Sequence, residues 1–181
     1  HNWYLKSSGS ANGADGDGQL SLDLPGEMPP DRYVYDPRNP VPTLGGPIYW
    51  GLSPVGPVDQ RPIMVRPDVL YYSSEPLERS LPVVGEVNLD LWVTSSAPDT
   101  DFIAKLCVVE PSGQVTCLRL GSIRCRFRES WSEPRPLEAG IPTRIRIEMG
   151  HIAYVYPQGA RIGLIVTSSS FPRILPHPNT M

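Results

Sequence analysis

No stretch of the 181-residue sequence runs apolar for eighteen residues, so none has the length of a transmembrane helix. Cysteine is sparse: Cys107, Cys117 and Cys125 make an odd count without CxxC spacing, and no secretory apolar region precedes them. That argues against a disulfide framework. The three histidines, His1, His151 and His177, do not pair with cysteine at zinc-ligand spacing. A net charge of -3 and a pI near 5.6 leave no basic footprint for nucleic acid. The sequence also lacks GxSxG, the strand-to-helix turn that carries a hydrolase serine. Its nearest approach, Gly51-Leu52-Ser53-Pro54-Val55-Gly56, is one residue too long and has proline where a helix must begin. A triad further needs a histidine oriented by a carboxylate, yet His177 between prolines and His151 after Gly150 read as solvated loop residues. The acidic pairs Asp15/Asp17 and Asp99/Asp101 fall short of the roughly 6–8 oxygen ligands calcium takes and read as turn chemistry. No catalytic residue, metal ligand or cofactor is therefore expected within the chain.

What is abundant is punctuation, with 22 prolines and 16 glycines spread among short apolar runs. This is the pattern of strands joined by turns. Alternation predicts strands at Gln19–Leu24 (Leu20, Leu22 and Leu24 on one side), Asp31–Asp36, Val69–Tyr72, Glu86–Thr94, Phe102–Val109, Val115–Leu120, Ile123–Arg128, Thr143–Met149 and Arg161–Thr167. With the short run Trp3-Tyr4-Leu5, that makes about ten strands, each with one polar face. One-sided alternation suits antiparallel sheets packed face to face. The expected fold is all-β, a jelly-roll β-sandwich filling residues 1–181 as one domain, with no helix.

Three features stand apart. Residues 37–67 hold eight prolines and form a long irregular segment carrying Ile48, Tyr49 and Trp50 in a row. Such a segment is usually functional or packed against something, and these residues suit either the domain's own core or a partner. The turn Pro111-Ser112-Gly113 reads as a three-residue hairpin loop closing Glu110 against Gln114, which sets Cys107 opposite Cys117. Opposed residues have Cβ atoms about 4.5–5.5 Å apart and a disulfide needs about 3.5–4.5 Å, so free thiols are expected. Charge is uneven: residues 1–100 carry 6 basic and 13 acidic side chains, residues 101–181 carry 10 and 6. Solvated strand faces or a polar surface meeting another domain would both account for this.

A series of motifs then runs in order: Asp31-Arg32-Tyr33-Val34-Tyr35-Asp36-Pro37, Asn39-Pro40-Val41-Pro42-Thr43-Leu44-Gly45-Gly46, Asp59-Gln60-Arg61-Pro62, Arg66-Pro67-Asp68-Val69-Leu70, Leu91 to Phe102, Ser168-Ser169-Ser170-Phe171-Pro172-Arg173 and Pro178-Asn179-Thr180. In order and spacing it resembles the C-terminal non-catalytic domain of X-Pro dipeptidyl-peptidases and cocaine-esterase-like (CocE/NonD) hydrolases. The resemblance covers nearly the whole chain and implies a galactose-binding-like sandwich following an α/β-hydrolase domain, whose triad lies upstream of every residue here. It further implies that the loop after Gly45-Gly46 helps close the acyl pocket, which puts Ile48, Tyr49 and Trp50 on a pocket wall. Ser170, the stretch His151 to Tyr156 and the three cysteines depart from the family pattern. Because Asp99, Asp101 and Arg173 lie in family motifs at strand ends, a structural ion pair of Arg173 with Asp99 or Asp101 is expected, the bidentate guanidinium suiting a carboxylate.

Three function classes are thus in play. The first is a non-catalytic accessory domain whose partner is the α/β-hydrolase domain of the same parent chain. The second is a free-standing carbohydrate-binding module using Trp92 and Trp50. The third, a complete small enzyme, is disfavoured by the missing nucleophile. The reading frame upstream of His1 separates the first two. Neither nucleic acid nor membrane is an expected partner, a homodimer is left open, and the expected compartment is the cytoplasm.

Overall fold

The computed structural model describes residues 2–46 and 55–180. Its strands are β1 (Tyr4–Lys6), β2 (Gln19–Ser21), β3 (Leu70–Ser73), β4 (Leu81–Val93), β5 (Asp101–Val109), β6 (Val115–Arg124), β7 (Thr143–Tyr156) and β8 (Arg161–Thr167). Six of them form one sheet in the order β1-β2-β3-β8-β5-β6, and β4 pairs with β7 in a long ribbon. Every pairing is antiparallel except the short β2–β3 contact.

Alternation explains how the ribbon meets the sheet. Leu89 of β4 and Ile145, Ile147, Met149, Ile152 and Tyr156 of β7 turn inward onto Leu70, Tyr72, Phe102, Ala104, Leu106, Val108, Ile162, Leu164 and Val166. Each aliphatic or aromatic side chain so buried contributes roughly 1.5–3 kcal/mol. Met149 and Ile152 are three apart, which strict alternation forbids. A bulge resolves this: the register jumps from Glu86↔His151 to Asn88↔Glu148, and Gly150 takes φ 75° there. The extra residue flips the parity of β7, so its second half keeps an inward face. For this reason β7 runs on to Tyr156, and His151 lies within the strand rather than in a turn.

The far face of the six-stranded sheet is covered too. Val69, Cys107, Val115 and Ile165 pack against Val41, Ile63 and Met64 from the proline-rich segment, which includes the single-turn 3-10 helix Arg61–Ile63. Strands β5 and β8 are consequently buried on both faces, not on one as alternation alone predicts. The described legs of that segment therefore belong to the sandwich's own packing.

Other expectations are corrected by particular contacts. The strand expected over Gln19–Leu24 stops at Ser21, leaving Leu22 and Leu24 exposed. Residues 31–36 form no strand. Asp31 instead accepts hydrogen bonds from Ser7 Oγ (2.6 Å), the Ala11 N–H (2.8 Å) and Tyr72 Oη (2.6 Å), and so anchors irregular chain. The two strands expected over Val115–Arg128 are one strand ending at Arg124, followed by the 3-10 turn Cys125–Phe127. The hairpin register stands as derived: Glu110 N–H donates to the Gln114 carbonyl at 2.9 Å, Gly113 takes φ 85°, and Cys107 lies opposite Cys117 with both thiols free.

Candidate functional site

Two legs of the proline-rich segment are tied to the sheet before they reach residues 47–54. On the first leg, the Val41 N–H donates to Ser169 Oγ (2.8 Å), Thr43 Oγ1 donates to the Ser170 carbonyl (2.7 Å), and the Thr43 N–H donates to the Phe171 carbonyl (2.6 Å). The serine run at the end of β8 thus acts as a rack of acceptors. On the second leg, the Gln60 N–H donates to the Val115 carbonyl (2.8 Å), and the Val115 N–H reaches Asp59 Oδ1 (3.2 Å). Buried Gln60 joins the legs, its Nε2 donating to the carbonyls of Leu44 and Val58, both at 2.9 Å.

Above these ties the legs close a neck. Gly46 and Gly56 exchange two backbone hydrogen bonds, 2.9 and 2.8 Å. Gly45 takes φ 67°, and a Cβ there would lie 2.4 Å from the Gly56 carbonyl oxygen, so only glycine allows the legs this close. Ile48, Tyr49 and Trp50 sit on the segment that this neck carries and fall outside the described residues.

Beneath the neck lies an unusual cation. Lys105 of β5 is 1% exposed, and its Nζ donates to Gln60 Oε1 at 3.0 Å. Burial pushes its pKa below the usual lysine value, with nearby Arg173 acting in the same direction. A buried amine held by an amide is costly unless its hydrogen bond is made. Gln60 therefore serves both the neck and the core.

The expected pairing of Asp99 or Asp101 with Arg173 is replaced by partners from β6 and the turn after it. Asp101 lies opposite Arg124 in the β5–β6 register and takes its guanidinium bidentately, at 2.9 and 3.0 Å. Asp99 accepts the Arg126 N–H at 2.9 Å and has Arg126 Nε at 3.4 Å. Arg173, partly buried, lies against the neck, its guanidinium 3.0 Å from where a Gly46 Cβ would stand. The β5–β6 pairing puts Arg124 opposite Asp101, and the turn Cys125–Phe127 after β6 brings Arg126 onto Asp99, just before β5. A cleft of about 310 Å³ opens beside them, lined by Asp99, Arg126, Pro134 and Pro136.

Sequence reasoning missed three residues of this region. His177 is buried, not solvated: its Nε2 lies 3.1 Å from Asp99 Oδ2, its Nδ1 accepts the Asn179 N–H at 2.9 Å, and its carbonyl accepts from Tyr35 Oη at 2.9 Å. The flanking prolines that suggested a loose tail instead shape one that folds back. Gln60 and Lys105 were invisible because a polar residue among apolar ones gives no hint of which partner will meet it. Trp92 is exposed opposite Arg144 on the ribbon's outer face. Among the described residues no group of three or more acidic, histidine or cysteine side chains could hold a metal, and no helix is long and apolar enough to cross a membrane.

Comparison with known proteins places this arrangement. Residues 1–181 match the family described as X-Pro dipeptidyl-peptidase C-terminal non-catalytic domain. The chain is 44% identical over 178 residues to cocaine esterase of Rhodococcus sp. (strain MB1 Bresler), covering 98% of itself and 31% of that protein. Among solved structures, an α-amino acid ester hydrolase superposes with a TM-score of 0.84 at 29% identity, over 99% of this chain and 30% of that one. An aminopeptidase from a marine sediment archaeon, Thaumarchaeota archaeon, superposes with a TM-score of 0.83 at 27% identity, over 100% and 31%. The chain thus spans about a third of the length of these relatives.

Proposed function

The chain belongs to the X-Pro dipeptidyl-peptidase C-terminal non-catalytic domain family, and from that premise we propose that it is the accessory domain of a larger α/β-hydrolase-type serine hydrolase, supplying one wall of the substrate pocket. The parent reaction is hydrolysis of an acyl bond, in an ester or a peptide; the relatives named above include both esterases and an aminopeptidase. Nucleophile, base and oxyanion donors come from the catalytic domain. This chain contributes position, and holding a substrate in a reactive geometry is itself a large part of catalysis.

The observation that carries this reading is the Gly46–Gly56 neck. A pair of backbone hydrogen bonds, braced by Gln60 and the serine rack, holds the base of a segment whose sequence presents three large apolar residues together. Prolines in such a segment restrict the unfolded chain, so little entropy is lost in holding it. A fixed base under Ile48, Tyr49 and Trp50 is what a pocket wall requires.

The test is Trp50→Ala in the parent enzyme. The expected result is a fall of about tenfold or more in kcat/KM, equivalent to ~1.4 kcal/mol of transition-state stabilisation, with the melting temperature nearly unchanged. Intact kinetics with a large drop in melting temperature would instead assign these side chains to the sandwich core.

A further inference from the structure

We propose that Cys107 and Cys117 form a redox couple in which a hydroperoxide oxidises Cys117 and Cys107 then closes a disulfide across the β5–β6 hairpin. Pairing geometry is the first ground. Glu110 and Gln114 form a hydrogen-bonded pair at the turn, and antiparallel pairs alternate between bonded and non-bonded sites. Counting back through Val109↔Val115 and Val108↔Thr116 makes Cys107↔Cys117 a non-bonded site. The Val115 carbonyl agrees, since it turns away from β5 to accept from Gln60. Regular non-bonded sites are the closer of the two, with Cα atoms about 4.5 Å apart, inside the range of about 4.4–6.8 Å that a disulfide spans; the register slips by one residue only beyond this pair, between Leu106 and Cys107, so Cys107↔Cys117 is the last pair counted out from the turn. The wider average separation of opposed residues is therefore not the relevant one here.

Chemical environment is the second ground, and it assigns the roles. Cys117 is only partly buried, whereas Cys107 and Cys125 are buried. The neighbouring Cys107 thiol, with Lys105 and Arg173 close by, holds the Cys117 thiol below its usual pKa, while the thiols themselves donate to the carbonyls of Lys105 (Cys107, 3.7 Å) and Arg119 (Cys117, 3.3 Å). The closeness of Cys117 and complete burial push Cys107 up. Cys125 is pushed up to about 12, mainly by burial, with Asp99 and Asp101 adding to it. Thiolate character and access decide which thiol reacts first, and both select Cys117.

The steps balance. The Cys117 thiolate attacks one peroxide oxygen, an S–O bond forms as the O–O bond breaks, and the leaving oxygen departs as water or alcohol after taking a proton. Cys107 sulfur then attacks the sulfenic sulfur. An S–S bond forms, the S–O bond breaks, and water leaves with the Cys107 proton. The couple loses two electrons and the peroxide gains them.

The sequence makes the readout direct. Trypsin cuts after Lys105 and Arg119 and nowhere between, so both cysteines fall on the peptide 106–119, while Cys125 falls on another. Wild-type protein, as this chain and within its parent, is treated with hydrogen peroxide, alkylated, digested and weighed. The expected result is a peptide 106–119 two hydrogens lighter and closed to alkylation, restored by dithiothreitol, with Cys125 alkylated on denaturation throughout. In Cys107→Ser, Cys117 should be trapped by dimedone as the sulfenic acid. A peptide 106–119 that stays fully alkylated, or that gains sulfinic or sulfonic oxygen on Cys117 while Cys107 remains free, overturns the proposal. Prior oxidation of Cys125 does so as well.

Discussion

At the scale of the residue, buried polar groups decide more than exposed ones. His177 accepts the Asn179 N–H on its ring Nδ1, sets its Nε2 beside Asp99 Oδ2 and gives its backbone carbonyl to Tyr35, so its buried side chain pins the C-terminal tail near the start of β5. Removing one partner of a buried hydrogen bond costs about 1–3 kcal/mol, whereas an exposed ion pair contributes about 0–1. His177→Ala should therefore lower unfolding free energy by about 1–3 kcal/mol in denaturant titration, while Arg38→Ala, which breaks the exposed Asp36–Arg38 pair, should leave it within error. Cys125 gives a pH signature. Its folded pKa, about 12, lies above the unfolded value of 9.0. The stability this contributes is complete below pH 9 and is lost as pH rises towards 12, because the unfolded chain ionises first. Cys125→Ala should flatten the alkaline limb of stability against pH across that window. Little at this scale was legible beforehand. The cysteine pairing was, because it follows from counting residues out from a turn. The partners of Asp99 and Asp101 were not, because motif membership says which residues matter and register says which of them meet.

At the scale of the element, alternation located the long strands well and their ends poorly. Strands β4 to β8 lie where apolar and polar residues alternate, and the apolar sets found on them do form the core. Errors arose where local chemistry overrides period. The bulge at Gly150 lengthens β7, and Asp31 holds residues 31–36 in irregular chain although their side chains alternate. Burial of β5 on both faces was also hidden, since the covering segment has no period of its own. Close approach of the layers is most acute at Gly121 of β6, where a Cβ would lie 2.4 Å from the Glu148 carbonyl oxygen of β7. Overpacking of this kind typically costs about 1–3 kcal/mol. Gly121→Ala should fall in or above that range by thermal or chemical denaturation. Gly26→Ala, with nothing within 4 Å of the new methyl group, should be neutral or slightly stabilising.

At the scale of the whole molecule, the chain is a sandwich with a third, non-repetitive layer laid over one sheet. Fold class was readable from composition and alternation, and the family from the order of short motifs. The pocket-wall role proposed above does not follow from the residues alone, since Ile48, Tyr49 and Trp50 suit a core as well as a partner. Without a nucleophile elbow, the isolated chain should turn over neither activated esters nor X-Pro anilides above buffer. Any turnover abolished by Ser53→Ala would contradict that expectation. The Gly46–Gly56 neck has a consequence for how such domains diversify. Because its two hydrogen bonds run between backbone atoms, they make no demand on which side chains the intervening sequence carries. As far as the neck is concerned, selection can choose the residues between these two glycines for what they meet rather than for the sandwich that carries them.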